Sequence, residues 1–226
     1  MKVAVIGAGS WGTAFAGVVA ANAPTVLWAR NPELATTVNR RHENVDYLEG
    51  ITLPDTLQGT ADIHSACDRA DVVVVAVPSH GFRTVLEQAR DCIPVDAPVV
   101  SLSKGVEQGT LERMTQVVAE VLPGHRSDRI GVLTGPNLAR EVAYGQPTAS
   151  VVAMADHESA ANLQRLSEPT LAAAKSPDRL RYKLTVVHGA RKHTVTFDEH
   201  RIPEAVKPLI EAVWSGASPG PDTVTT

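Results

Sequence analysis

The sequence predicts an α/β fold, a doubly wound parallel sheet followed by a small β-hairpin plus helix appendage, and three observations predict it. A β-branched run, Lys2-Val3-Ala4-Val5-Ile6, stops abruptly at Gly7-Ala8-Gly9-Ser10-Trp11-Gly12, a glycine turn set between a strand and a helix. Apolar runs of strand length recur at Asp71–Val77, Pro98–Leu102 and Ile130–Leu133, nearly continuous, as strands covered on both faces should be. Beyond residue 180 the helical spacing gives way to polar–apolar alternation, the mark of half-buried strands.

The elements follow in order. After the first strand, Trp11, Ala14, Phe15, Val18 and Val19 fall on one stripe of a helix that begins inside the glycine loop. Gly7 permits the tight turn, Gly9 leaves no Cβ between the backbone and a pyrophosphate, and Gly12 lets the helix pack closely on the sheet. With free N–H groups and a helix dipole at that point, the loop is a place for an anion. A second strand, Thr25-Val26-Leu27-Trp28, completes a Rossmann-type unit and ends at Ala29-Arg30-Asn31. An acidic residue at this position selects NAD, whereas an Arg accommodates the 2′-phosphate of NADP. Arg30 therefore favours NADP(H) over NAD(H), the alternative being a solvated loop cation. Phe82, Val85, Leu86 and Ala89 predict a helix over 81–90, and Leu111, Thr115, Val118 and Val121/Leu122 predict another.

Composition narrows the function classes. With 226 residues, 43% hydrophobic and 20% charged, the chain can bury one substantial core. Its net charge of −4 and nine aromatic residues give no general pull toward nucleic acid. No run reaches the roughly 18 apolar residues of a spanning helix, so a cytoplasmic protein without membrane contact is expected. Cys67 and Cys92 form neither a CxxC nor a second pair and read as reduced packing residues; no metal is expected. The sequence is compatible with a homo-oligomer.

Ligands of open parallel sheets lie outside the carboxyl ends of the strands. Pro78-Ser79-His80, Lys104 and Gly135-Pro136-Asn137 each follow a predicted strand, which nominates them as one cleft rim. Lys104 is the sharpest, since a cation there suits a substrate oxygen or phosphate. His80 needs no chemistry to explain it.

Taken together, Gly7 to Ala14, Trp28-Ala29-Arg30, Tyr47-Leu48 with Leu53-Pro54, Ala76 to Ser79, Ser101 to Glu107, Thr134 to Val142 and Pro147-Thr148-Ala149 resemble the NAD(P)-dependent glycerol-3-phosphate dehydrogenases of bacteria over residues 1–165. The resemblance implies hydride transfer between a nicotinamide cofactor and a small phosphate substrate, interconverting dihydroxyacetone phosphate and sn-glycerol 3-phosphate for glycerophospholipid synthesis. It also implies that Gly7, Gly9, Ser10, Trp11, Gly12, Arg30, Lys104 and Ala139 touch the cofactor, and that Lys104, Gly135 and Asn137 line the substrate side; relatives often carry Ser at the position of Asn137. The family continues into a helical domain that supplies a Lys-Asn pair for proton transfer and an Arg-Asn pair for the phosphate. After Asn137 the only Asn is Asn162, preceded by Ala161, and no Lys is followed by Asn. No catalytic residue is therefore identified, and a truncated or rearranged dehydrogenase with weak turnover is expected. A non-catalytic nucleotide-binding module is the alternative.

Residues 166–177, with Pro169 and Ser176-Pro177-Asp178, read as a linker. Arg181 to Val187 and Arg191 to Phe197 form a hairpin, and Ile202, Ala205, Val206, Leu209, Ile210, Val213 and Trp214 form a helix entered at Pro203 and disturbed by Pro208. From Ser176 to Arg201 six basic residues face three acidic ones. His188, His193 and His200 match no strong metal spacing. The unit 178–214 resembles emfourin-type inhibitors of thermolysin-like proteases, which implies a fusion or a rearranged gene product. Residues 215–226, rich in Ser, Gly, Pro and Thr, read as a disordered tail.

Overall fold

The computed structural model describes residues 1–167 except 136, 147 and 149, and the backbone of residues 181–188 and 191–198. They form two compact units, the larger carrying a seven-stranded sheet and its helices, the smaller carrying the hairpin. Residues 166 and 167 of the expected linker belong instead to a helix that runs to Ser167; residues 168–177, the helix expected over 202–214 and the tail lie outside the described residues.

The sheet runs β3-β2-β1-β4-β5-β6-β7. Its strands are β1 (Val3–Ile6), β2 (Thr25–Trp28), β3 (Leu57–Thr60), β4 (Val72–Val75), β5 (Val99–Ser101), β6 (Ile130–Thr134) and β7 (Val151–Ala153). All neighbours pair in parallel except β6 and β7. β1 and β4 lie side by side at the centre, with Val5 opposite Val74, and every residue of both is buried. The unbroken Val run of β4 is thereby explained: helices cover both faces, so neither parity of the strand meets water.

The helices are α1 (Ser10–Ala20), α2 (Pro32–Arg41), α3 (Ile63–Cys67), α4 (Ser79–Ala89), α5 (Met114–Val121), α6 (Ala139–Ala143) and α7 (His157–Ser167). α2 carries its own start and stop signals: the Asn31 side chain accepts from the Glu33 N–H, Pro32 opens the first turn, and His42 ends the helix in the left-handed region at φ 50°. Helix α1 is buried more widely than one stripe, from Gly12 through Ala16 and again at Val19 and Ala20, because the sheet lies under it and other elements close over it. Phe15 and Val19 join Val3, Val5 and Val74 in one core layer. Phe82, Leu86 and Ala89 of α4 join Ala4, Ile6 and Val75 in the other.

Three expectations change. Leu111 is not part of α5; it sits in the preceding loop at φ 61° and is 73% exposed, and the buried face of the helix is Met114, Val117, Val118 and Val121. Leu163 to Lys175, Ala- and Leu-containing and broken by Pro169, also reads as a helical stretch; the observed helix starts earlier, at His157, where Asp156 accepts from the Glu158 N–H. Elements β3, α2, α3, α6 and β7 had drawn no expectation: most are short, and α2 is largely polar. In the smaller unit, β8 (Arg181–His188) pairs antiparallel with β9 (Arg191–Asp198), so the strand takes in His188, expected in the turn. The register sets Tyr182 opposite Phe197, Leu184 opposite Val195 and Val186 opposite His193.

Candidate functional site

The carboxyl ends of β1, β2, β4, β5 and β6 bring the expected rim residues to one edge of the sheet. At its centre the glycine loop leaves β1 and lies against the end of β4. Gly7 has φ +119°, and a Cβ there would come within 2.6 Å of the Ala76 carbonyl oxygen. A Cβ on Gly12 would stand 2.0 Å from the Gly7 oxygen, so α1 can enter the loop only over a residue without one. Gly9 is different. A Cβ there would meet nothing within 4 Å; packing of the protein does not demand glycine at that position.

Gly9 caps α1 without any side-chain hydrogen bond, leaving main-chain N–H groups of the first turn for an outside acceptor. The loop itself is held from the segment after α2. Buried Asn44 donates from Nδ2 to the Ala8 carbonyl (2.9 Å) and to Thr13 Oγ1 (2.7 Å), and its Oδ1 accepts from the Tyr47 N–H. Ser10 Oγ donates to the Tyr47 carbonyl at 2.7 Å, so the Ser10 hydroxyl already has a structural task. Trp11 packs edge-on to Phe15, with ring centroids 6.3 Å apart. It shares an apolar cluster with Ala14, Leu48, Ile51 and Ala139, which places Ala139 of α6 beside the start of α1.

Arg30 follows β2 on an exposed bend and makes no hydrogen bond or ion pair to the described residues. Lys104 follows β5 and is likewise exposed and unpaired. His80 lies exposed in the first turn of α4. The ends of β4 and β5 are tied together: Ser103 Oγ donates to the Val77 carbonyl at 2.5 Å, and a Cβ on Gly105 would lie 3.7 Å from Ser79 Oγ. The loop leaving Lys104 is fixed by Arg83 of α4. Its Nε and Nη2 donate to the two oxygens of Glu107 at 2.8 and 2.9 Å, and Nη2 also reaches Glu120 at 2.8 Å and Glu112 at 3.5 Å. These contacts raise the Arg83 pKa and hold Glu107 down to about 2. With three carboxylates on one guanidinium, desolvation and the facing Glu120 push Glu112 upward.

Beyond β6, Asn137 is buried at 9% exposure. Its Nδ2 donates to Ser150 Oγ at 3.0 Å, its N–H donates to the Gly135 carbonyl, and its Oδ1 meets no partner among the described residues. A buried amide oxygen without a donor costs about 1–3 kcal/mol. Pro136 lies outside the described residues. A cavity of about 520 Å³ lies at the opposite edge of the sheet, lined by Asp71, Asp96, Pro98, Arg129 and Asp156. Of its two arginines, Arg129 is already committed to Asp156 at 3.0 Å and to the Asp96 carbonyl, and Arg69 stands 4.0 Å from Asp68, so the rim at the carboxyl ends is the better candidate. Among the described residues no group of three His, Cys, Asp or Glu side chains is placed to hold a metal, and no helix is long and apolar enough to cross a membrane.

A family model described as NAD-dependent glycerol-3-phosphate dehydrogenase N-terminus matches residues 2–160. The chain belongs to this family. It is 55% identical over 156 residues to glycerol-3-phosphate dehydrogenase (NAD(P)+) 2 of Sphingopyxis alaskensis, a match covering 69% of this chain and 46% of that one. With the Thermobifida fusca glycerol-3-phosphate dehydrogenase the identity is 52% over 169 residues, covering 73% and 49%. The chain thus spans about half the length of the curated relatives it matches. Among solved glycerol-3-phosphate dehydrogenases, that of Coxiella burnetii superposes with TM-score 0.67 at 28% identity, over 73% of this chain and 50% of that one. The Saccharomyces cerevisiae enzyme gives 0.62 at 31%, over 68% and 47%. A second model, Emfourin, matches residues 131–213 and overlaps the dehydrogenase match over 131–160.

Sequence reasoning for this dehydrogenase-family chain missed Asn44 and Thr13. Both lie outside the glycine motif, and Asn44 reaches the loop across 36 residues; no local pattern marks such a contact.

Proposed function

We propose that residues 1–165 form the cofactor half of a glycerol-3-phosphate dehydrogenase and bind NADP(H) or NAD(H) across the carboxyl ends of β1, β2 and β4. The observation that carries this reading is the contrast among the loop glycines. Gly7 and Gly12 are required by packing, whereas Gly9 borders open space, so the space beside Gly9 is left for a ligand to occupy.

In this reading the first-turn N–H groups of α1 receive the pyrophosphate, favoured by the positive end of the helix dipole. The Arg30 guanidinium meets the 2′-phosphate of NADP(H). Trp11 and Ala139 wall the entrance. The nicotinamide, when bound, supplies or accepts the hydride. Lys104 presents an ammonium to the oxygen or phosphate of dihydroxyacetone phosphate, and Asn137 Oδ1 accepts from a hydroxyl or amide on the substrate side, relieving its buried, unpaired state. Reduction of a ketone also requires a proton at its oxygen, and a positioned general acid typically contributes 10²–10⁴-fold. The Lys-Asn and Arg-Asn pairs that the family resemblance calls for are absent after Asn137, so these 226 residues by themselves should bind cofactor far better than they turn over substrate. Solution in the cytoplasm and a small-molecule phosphate as the reacting partner accord with this reading.

The deciding experiment follows NADPH at 340 nm with dihydroxyacetone phosphate, alongside calorimetric titration of NADPH and NADH. Binding with little or no oxidation supports the cofactor-half reading. Turnover at the usual rates of complete dehydrogenases would show that the missing pairs are dispensable, and absence of binding would overturn the proposal. The Emfourin match and the observed β8–β9 pairing favour a second role, a protease-inhibiting C-terminal segment 178–214. Titration of a thermolysin-like protease with the full chain tests it; unchanged protease activity at large excess would end it.

A further inference from the structure

We propose that Asn44 is a positioning residue for dinucleotide binding: it sets the direction of the loop amides and clamps the loop to the first turn of α1. The inference rests on the reading that the glycine loop takes a pyrophosphate.

Asn44 is completely buried, and both arms of its amide are used. Its Nδ2 holds the Ala8 carbonyl. The peptide joining Ala8 to Gly9 is trans, so its C=O and N–H point in opposite directions. Pinning the Ala8 oxygen toward Asn44 therefore turns the Gly9 N–H away from Asn44. Without that bond the peptide next to a glycine is free to rotate, since Gly9 has no Cβ to restrict it and no neighbour within 4 Å of where one would be.

The other hydrogen of the same Nδ2 goes to Thr13 Oγ1, four residues further on, and the Thr13 N–H donates to the Gly9 carbonyl at 2.9 Å. One amide group thus fixes the angle between loop and helix. On its far side Oδ1 accepts from Tyr47 N–H, while the Tyr47 carbonyl takes the Ser10 hydroxyl. Residues 44–47 and the loop are therefore latched at Ala8, Ser10 and Thr13. Asn44 itself lies under the loop and would not touch the cofactor. Its contribution is to remove, before binding, the freedom that a diphosphate would otherwise have to freeze.

The test compares NADPH with adenosine 2′-phosphate, which carries the adenosine and 2′-phosphate but no diphosphate, by calorimetry on the full chain. In Asn44→Ala, NADPH affinity should fall at least tenfold while adenosine 2′-phosphate affinity changes less than twofold. Equal losses for both ligands mean a general fold defect and overturn the proposal, as does no loss for either. If Asn44→Ala shows no cooperative thermal transition, Thr13→Val is read in the same way. It nearly keeps the buried volume and removes the hydroxyl that accepts from Asn44 Nδ2; a threefold to fivefold loss confined to NADPH is expected, and an unchanged ratio of the two affinities overturns the proposal. Wild-type chain that binds neither ligand would instead refute the cofactor reading and this inference with it.

Discussion

The two halves of the rim are built to different degrees of completion. On the side of β1 and α1, the loop around Gly9 is fixed by the protein itself: Gly7 and Gly12 admit no Cβ, Asn44 holds Ala8 and Thr13, and Ser10 is tied to Tyr47, while Gly9 alone borders open space. On the side of β5 and β6, Lys104 stands exposed and unpaired, Asn137 keeps a buried oxygen without a donor, and Leu138 and Tyr144 expose 63% and 59% of their surface. The difference teaches that the fold is set in advance at the glycine loop, where we propose a diphosphate binds, and much less so at the ends of β5 and β6. At the ends of β5 and β6, polar groups stand without partners among the described residues.

The largest expected effect comes from attacking the completed half at its tightest point. In Gly12→Val the new Cβ would stand 2.0 Å from the Gly7 oxygen, and that atom is backbone. A loss of about 3 kcal/mol or more is expected by urea denaturation; a loss under about 1 kcal/mol would show that the loop can yield. Gly9→Val sharpens the contrast. Nothing in the protein opposes the side chain, so stability should change by no more than about 1 kcal/mol, mostly from a poorer cap, while NADPH affinity falls about a hundredfold. Next in size, Arg30→Ala should weaken NADPH about tenfold, close to 1.4 kcal/mol, and leave NADH unchanged. Equal affinities throughout would remove the 2′-phosphate argument.

The same division explains what could be read without the structure. The completed half is encoded locally: strand, three glycines and helix follow each other within Val3–Ala20, and the Val run of β4 announces a covered strand. Strand β3 was illegible because Leu57-Gln58-Gly59-Thr60 has one fully buried residue, and Gly59 is there because a Cβ would lie 2.8 Å from the Ala35 oxygen of α2. β7 is three residues long and half exposed; its antiparallel place comes from pairing with β6, not from its own pattern. Lys104 and Asn137 were found from strand ends alone, yet the buried, unpaired state of Asn137 depends on Ser150 and the chain around it. The Asn44 latch joins residues 31 and 36 positions apart, a distance at which sequence periodicity carries no signal.

On the unfinished half, removing Asn137 should cost the fold little. Asn137→Ala gives up one hydrogen bond to Ser150, worth about 1 kcal/mol, but also deletes an unpaired buried oxygen of comparable cost. A stability change within about 1 kcal/mol is expected in chemical denaturation. A loss above about 2 kcal/mol would mean that Oδ1 is satisfied in solution, and the contrast between the two halves would weaken.

The smallest effect concerns the loop that leaves Lys104. Glu107 is held down to about 2 from an ordinary value of 4.5 by the Arg83 guanidinium and the Thr110 hydroxyl. A carboxylate whose folded-state pKa is depressed contributes stability that is fully present above its unfolded value and lost as pH falls toward the folded one. The melting temperature of the wild-type chain should therefore drop between pH 4.5 and about 2 partly through Glu107. Glu120, also lowered by Arg83, adds in the same direction, and Glu112, raised, opposes it. Glu107→Gln removes the titrating group while keeping an acceptor for Arg83, so its melting curve against pH should be shallower in that window and should converge on the wild type at the acid end. Parallel curves would show that the Arg83–Glu107 pair is screened away in water and that the Lys104 loop owes its position to its other contacts, such as Ser103 Oγ to the Val77 carbonyl.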